Sequence, residues 1–262
     1  MGENNSSETR VAPLGMFLLE NHKKVNGLLS LIGCTDIDFG EFHNENGIFF
    51  SEKKNGKIVR SEKSLQPPRY HLENILRTIC SIEKAKLVFI KKVETSKVKA
   101  RDMRLRFAQG EIPLEEAINA ITGNNGWANL ETASHPDLFI ENETHILLVE
   151  GKLTEDGTKK NVSYIAHRSQ MVRHIQNTIA YLEEKGEEKQ IFAFYILPEN
   201  FKKISEIKEK RAIEKDINSE TVPIPAPIRK KIADSYYGCT TWEAVSEKLG
   251  IEFPPIKQTK RK

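Results

Sequence analysis

No run in this chain approaches the ~18 consecutive apolar residues that a membrane-spanning helix needs. The most apolar early segment, Leu14 to Ile32, is broken by Glu20, Asn21, His22, Lys23 and Lys24. It therefore reads neither as a membrane span nor as a cleavable leader, and the expectation is a cytoplasmic protein with no membrane partner. Cysteine is scarce as well. Cys34, Cys80 and Cys239 cannot all pair, and none forms the close pair that a zinc site usually needs. A phosphate loop of the GxxxxGK[ST] type is missing, which argues against ATP-driven chemistry within the chain. With only 15 Gly and 11 Pro in 262 residues, collagen-like and low-complexity classes are excluded too. There is no internal repeat.

What is present is enough chain for a real core, 38% hydrophobic and 29% charged, arranged as one large domain or as a core with an accessory unit. The net charge is only +3, but it is unevenly placed. Between Lys84 and Arg106 stand nine basic residues, among them Lys91, Lys92, Lys97, Lys99, Arg101 and Arg104, against Glu94 and Asp102, nine minus two giving +7 for the segment. Such a patch suits a phosphate backbone, because neutralising phosphates releases condensed counterions. A solvated helix face is the other reading of the same charges.

Periodicity divides the chain into five stretches. Residues 1–12 are polar and read as a disordered tail. Residues 13–110 read as an accessory α+β lobe: a helix over Leu14 to Ile32, a hairpin across Asn55-Gly56 between Ile48-Phe49-Phe50 and Ile58-Val59, and a helical stripe leading into the basic segment. Residues 111–198 show the order α-β-β-β-α-β. It comprises a short helix near 112–122, strand-like pieces at Trp127 to Thr132, Asp137 to Ile140 and Ile146 to Lys152, a long helix from Val162 to Lys185, and the apolar run Ile191 to Leu197. Residues 199–253 read as a helical extension, with Thr240 and Glu243 as a capping box for its last helix. Residues 254–262 form a basic tail.

The pattern that carries chemistry is Pro136-Asp137 followed by Glu150-Gly151-Lys152. Residues two apart on a strand share a face, so Glu150 and Lys152 project together. A tight turn centred on Asn142-Glu143 would place Asp137 opposite Leu148 and diagonal to Glu150, on that same face. A slip of one residue would move Asp137 to the other face. Two carboxylates with open water positions suit Mg²⁺, with Mn²⁺ as a substitute, and a neighbouring lysine can orient the attacking water. In the long helix Arg168 falls within the arc of Ile165, Val172, Ile175, Ile179 and Leu182 that must face the sheet, whereas Gln170, Arg173 and Asn177 point away. An arginine there needs a carboxylate or a phosphate to receive it, which points to Arg168 as a site residue, a snorkelling edge position being the alternative. His135 and His145 flank the strands without converging partners and read as structural.

These residues, in that order of elements, resemble the PD-(D/E)xK nuclease superfamily, and the chain is similar to uncharacterised bacterial members of it. The resemblance implies an α/β fold with a restriction-endonuclease-like αβββαβ core over 111–198. It also implies a Mg²⁺-dependent endonuclease acting on nucleic acid, chiefly DNA, with Asp137 and Glu150 as metal ligands. The Gly151 carbonyl would be a further ligand, and Lys152 would position the water. An acidic residue on the first core helix is frequent in the family, which brings in Glu115 and Glu116; plain surface is the alternative for both. The string from Arg168 to His174 resembles strings in the same class and adds Gln170 as a minor candidate. A homodimer is compatible with the resemblance. Two rival readings remain: a nucleic-acid-binding or scaffold protein that keeps the fold without cleaving, and a chance motif in an unrelated α/β protein.

Overall fold

A computed structural model describes residues 7–42, 47–54, 57–97, 99–122, 126–153, 168–219 and 224–253. Its elements are helices α1 (Ala12–Glu20) and α2 (Val25–Leu31), strands β1 (Ile48–Phe50), β2 (Glu52–Lys54) and β3 (Lys57–Arg60), then helices α3 (Arg69–Ser81), α4 (Glu83–Glu94), α5 (Arg101–Ala108) and α6 (Leu114–Asn119). They continue with β4 (Leu138–Glu141), β5 (His145–Gly151), α7 (Gln170–Lys185), β6 (Gln190–Leu197), α8 (Lys202–Ile217), α9 (Ala226–Ser235), β7 (Tyr236–Thr241) and α10 (Trp242–Leu249). Among the described residues, no helix is long and apolar enough to cross a membrane.

A mixed five-stranded sheet in the order β1-β4-β5-β6-β7 organises the molecule. The β1–β4 and β4–β5 pairs are antiparallel, and β5–β6 and β6–β7 are parallel. Parallel neighbours need a crossover, which α7 supplies between β5 and β6, and α8 with α9 between β6 and β7. Strict alternation then sorts the side chains. Leu147, Val149, Phe192, Phe194 and Ile196 meet Leu14, Leu18, Leu28, Trp242 and Val245 on one face. Ile146, Leu148, Ala193 and Leu197 meet Val172, Ile175, Ile179, Ile213, Ile228 and Ile232 on the other. Covered on both faces, β5 and β6 are continuous apolar runs, as central strands of such a sheet must be.

A second core lies among α3 to α6, where Leu72, Ile75, Leu76, Phe89, Phe107, Ile118, Trp127 and Leu130 pack together. This helical unit is spliced into the chain between β3 and β4. Trp127 to Thr132 is therefore no strand. Its apolar side chains serve the helical core, and its carbonyls are already taken: Arg104 donates to Trp127 O (2.8 Å) and Asn129 O (3.0 Å), and Arg173 donates to Thr132 O (2.9 Å).

The packing corrects several boundaries. The segment 13–110 is not a separate lobe, because α1, α2 and β1 belong to the core of the main sheet. The segment 199–253 is no mere extension, since it supplies β7 and covers both sheet faces. Lys53 and Lys54 of β2, rather than Ile48–Phe50, pair with Lys57 and Ile58 of β3; Asn55-Gly56 lies outside the described residues. Of the polar tail, Ser7–Val11 forms a helical turn with Val11 buried, while residues 1–6 and the basic tail 254–262 lie outside the described residues. The long helix starts at Gln170, with Ser169 as its cap accepting from Val172 N; Val162 to His167, Ile165 among them, lie outside the described residues. The last helix is capped by Thr241, which accepts from Ala244 N at 3.1 Å, because Thr240 is still in β7.

Candidate functional site

The β4–β5 pairing sets Leu138 opposite Val149 and Phe139 opposite Leu148. Continued by one residue, it places Asp137 opposite Glu150. Two residues separate this from the expected register, because the tight turn is centred one residue later, on Glu143-Thr144, where Asn142 N donates to His145 O at 3.1 Å. Asn142 Oδ1 caps it by accepting from Thr144 N (2.9 Å) and His145 N (2.7 Å). An even shift preserves the face, so Asp137, Glu150 and Lys152 still share one side. Asp137 Oδ2 accepts from the Gly151 N–H at 2.9 Å, fastening the end of β4 to the end of β5.

Glu150 is at the centre, 2% exposed. Its Oε1 accepts from Lys152 Nζ (2.8 Å) and Gln170 Nε2 (2.6 Å), and its Oε2 accepts from His174 Nε2 (3.2 Å). Lys152 Nζ also donates to Gln170 Oε1 at 3.3 Å, which fixes the orientation of that amide. Burial pushes the Glu150 carboxyl up, but the His174 hydrogen bond and the Lys152 charge outweigh it and hold the group at about 2. The carboxylate is thus ionised at neutral pH. Among the described residues, three of its roughly four lone-pair sites are engaged, leaving room for one more donor or a cation on Oε2.

The backbone of the motif is clamped. Lys152 N donates to Ile196 O (2.9 Å), and Trp242 Nε1 donates to Lys152 O (2.6 Å). A Cβ on Gly151 would stand 2.7 Å from Val11 Cγ2 and 2.8 Å from Trp242 Cζ2, which accounts for glycine between the two polar residues. Gln170 is held from behind: Asp216 of α8 accepts from Ser169 N (2.8 Å) and so fixes the first turn of α7.

The other expected residues fall elsewhere. Arg168 precedes α7, so the helical arc does not apply to it. It forks onto Glu131 (Nε and Nη2, both 3.3 Å), reaches Asp216 (3.4 Å) and donates to Gln176 Oε1 (2.5 Å), all buried. Its need for a carboxylate is met inside the protein rather than at the candidate site. Arg173 and Asn177 do not face solvent, because α7 is sandwiched between the sheet and the helical unit and is buried on all sides over most of its length, and Gln170, half-buried in the first turn, turns to Glu150. Glu115 and Glu116 are exposed on α6, and among the described residues no contact links them to Glu150. Lys91, Lys97, Lys99 and Arg101 are exposed, whereas Lys92 is half-buried and Arg104 is a buried tie to Trp127 and Asn129. His174 was legible only indirectly. It lies one helical turn beyond Gln170, the spacing at which two side chains can meet one carboxylate.

Since Glu150 lies below its ordinary 4.5 when folded, its ionised form contributes stability that is fully present above about pH 4.5 and is lost as pH falls toward about 2, roughly 3 kcal/mol in all. Metal-free wild type should lose more stability than Glu150→Gln over that interval in denaturant titrations. Parallel curves would mean that His174 and Lys152 do not stabilise the carboxylate.

Comparison with family models, with curated proteins and with solved structures returns no match.

Proposed function

We propose that the chain is a metal-dependent nuclease that hydrolyses phosphodiester bonds, with DNA as its substrate. One observation carries this reading: two strand ends and the first turn of α7 bring Asp137, Glu150, Lys152 and Gln170 to one side of the sheet. Among the described residues no three His, Cys, Asp or Glu side chains form a closed cation cage. An ion would therefore be held by Asp137, Glu150 and the Gly151 carbonyl, with water completing its shell. That all-oxygen set fits Mg²⁺, which keeps several waters and is bound through one or two carboxylates. When bound, such an ion polarises a phosphoryl oxygen and acidifies a water. The chain's own residues do the positioning. Lys152, anchored on Glu150 and Gln170, presents an ammonium that orients the attacking water, and the Lys152–Glu150 contact balances charge until a cation arrives. Exposed Lys91, Lys97, Lys99 and Arg101 supply phosphate contacts.

The engagement of Glu150 by three protein donors favours a second reading, a nucleic-acid-binding or scaffold protein that keeps this fold without cleaving. Calorimetric titration of Mn²⁺ into the protein with duplex DNA present separates the two. Saturable binding abolished by Asp137→Asn is expected, and no binding heat at millimolar Mn²⁺ would remove the nuclease reading in favour of the scaffold.

A further inference from the structure

Strand β7 is the last of the main sheet and pairs on one side only, with β6. Beside its free edge lies a groove of about 580 Å³, walled by α8 on one flank and by Leu31 and Ile32 at the end of α2 on the other. Its lining is apolar and incompletely covered, since Leu31, Ile32, Ile217, Tyr236 and Tyr237 are all half-buried. A contiguous patch of this kind marks an interaction surface. The occupant is not an extended strand. Between the Ala193–Tyr236 and Tyr195–Cys239 pairs the ladder gains one residue on β7, and Gly238 takes a φ of +87°. Such a bulge bends an edge strand away from a new neighbour.

The helical wall decides the partner. Lys202, Glu206, Lys210 and Glu214 line the groove at a spacing of four along α8, alternating in sign. Residues four apart on a helix can pair with one another. Here they do not: among the described residues, no ion pair joins any of the four to another side chain. With two charges of each sign the wall is neutral and offers no net attraction to a polyanion or an anionic membrane. An alternating stripe is, however, complementary to itself when reversed.

We infer that the α8 groove is a two-fold interface between two copies of this chain, with their α8 helices antiparallel and the axis at the level of Lys208. Lys202 of one copy then faces Glu214 of the other, and Glu206 faces Lys210, so every contact along the stripe is of opposite sign. A parallel pairing in register would set like against like. Ile207 is 51% exposed, one residue or ~1.5 Å from the level of the axis. It gives each copy an apolar side chain for the groove of the other. Because α8 has 16 residues and is about 24 Å long, the buried area falls at the low end of specific interfaces, and a dissociation constant of ~1–100 µM is expected. The inference does not rest on the nuclease reading.

Sedimentation velocity on the full chain, without metal or nucleic acid, from ~1 to ~200 µM, tests the interface across that range. Wild type should pass from one chain mass to two, with weaker association as salt rises. Glu206→Lys and Lys210→Glu each set like charges together at two symmetry-related contacts, and each should weaken the dimer at least ~10-fold. Both positions are exposed, so thermal melts should show folding undisturbed. The decisive arms restore the match. An equimolar mixture of the two single variants, and the double variant Glu206→Lys/Lys210→Glu, should each associate nearly as wild type does, because opposite charges face each other again. Wild type that stays monomeric up to ~200 µM overturns the interface. So does a dimer that neither single change weakens. A dimer weakened by both but restored by neither the mixture nor the double variant also overturns it, because the charges then act within one helix rather than across a two-fold axis.

Discussion

Glu131→Gln should cost the fold about 3–5 kcal/mol, the loss expected when one partner of a buried ion pair is removed. Glu131 is fully buried and accepts from Arg168, from Arg173 Nε (2.9 Å) and from His71 Nε2 (2.9 Å). Burial pushes its carboxyl up, but the Arg168 and His71 neighbours hold it well below the usual carboxylate range. Burial and the Arg168 charge lower His71, so the imidazole stays neutral and two guanidiniums face two carboxylates, Glu131 and Asp216. The substitution would leave Arg168 and Arg173 against Asp216 alone. A domain's whole stability is ~5–15 kcal/mol, so a large part of it rests on this carboxylate. The loss should reach beyond the helical unit, because the cluster joins His71 of α3, the 131–134 segment, α7 and α8. Urea titration should show a lower midpoint at unchanged slope, the sign of altered stability rather than altered compactness. A loss under ~1 kcal/mol would mean the cluster is solvated and ties nothing together. Glu131→Gln/Arg173→Met should recover part of the loss.

The second large effect is on catalysis, and the contacts around Glu150 give each substitution its own signature. Asp137→Asn and Glu150→Gln remove charge from the cation site and should abolish metal binding and cleavage together. Lys152→Ala leaves both carboxylates, so the cation should still bind, and more tightly for want of the ammonium at 2.8 Å. Cleavage should nevertheless fall ~10²–10⁴-fold, the usual contribution of a group that readies a water or a proton. Repulsion between two unbalanced carboxylates would make Glu150→Gln stabilising. The geometry argues the opposite, because Glu150 is already matched by Lys152, His174 and Gln170, and its loss removes the carboxylate that the half-buried Lys152 ammonium meets at 2.8 Å. Arg168→Ala should act through the fold, lowering stability before it touches turnover, since its partners are Glu131, Asp216 and Gln176.

How far the site could be read from the sequence follows from what period-2 arithmetic can see. It places Asp137, Glu150 and Lys152 on one face, and an even error in register leaves that result intact. It gives β5 and β6 as strands. What it misses depends on contacts distant in the chain. The first strand of the sheet, Ile48–Phe50, lies far upstream of β4 with the helical unit between them, so a local reading looks for it at Trp127 to Thr132 instead. Strand β7 is short and runs into helices on both sides without a turn, which hides it within a helical pattern. The inward polar face of α7 misleads for another reason. Amphipathic periodicity assumes water on one side, and Arg173, Gln176 and Asn177 instead face the helical unit, where Glu131, Tyr70 and Leu65 receive them. The basic segment divides on similar grounds, because nothing local distinguishes Arg104, bound to two carbonyls of a distant loop, from its exposed neighbours.

The central claim is tested most directly by single-turnover cleavage of supercoiled plasmid and single-stranded DNA at saturating Mn²⁺, comparing wild type with Glu150→Gln. The account predicts nicked or linear product from wild type and at least a ~10²-fold slower rate from the variant. Equal rates in the two proteins, or no product from wild type while it binds both metal and DNA, would contradict it.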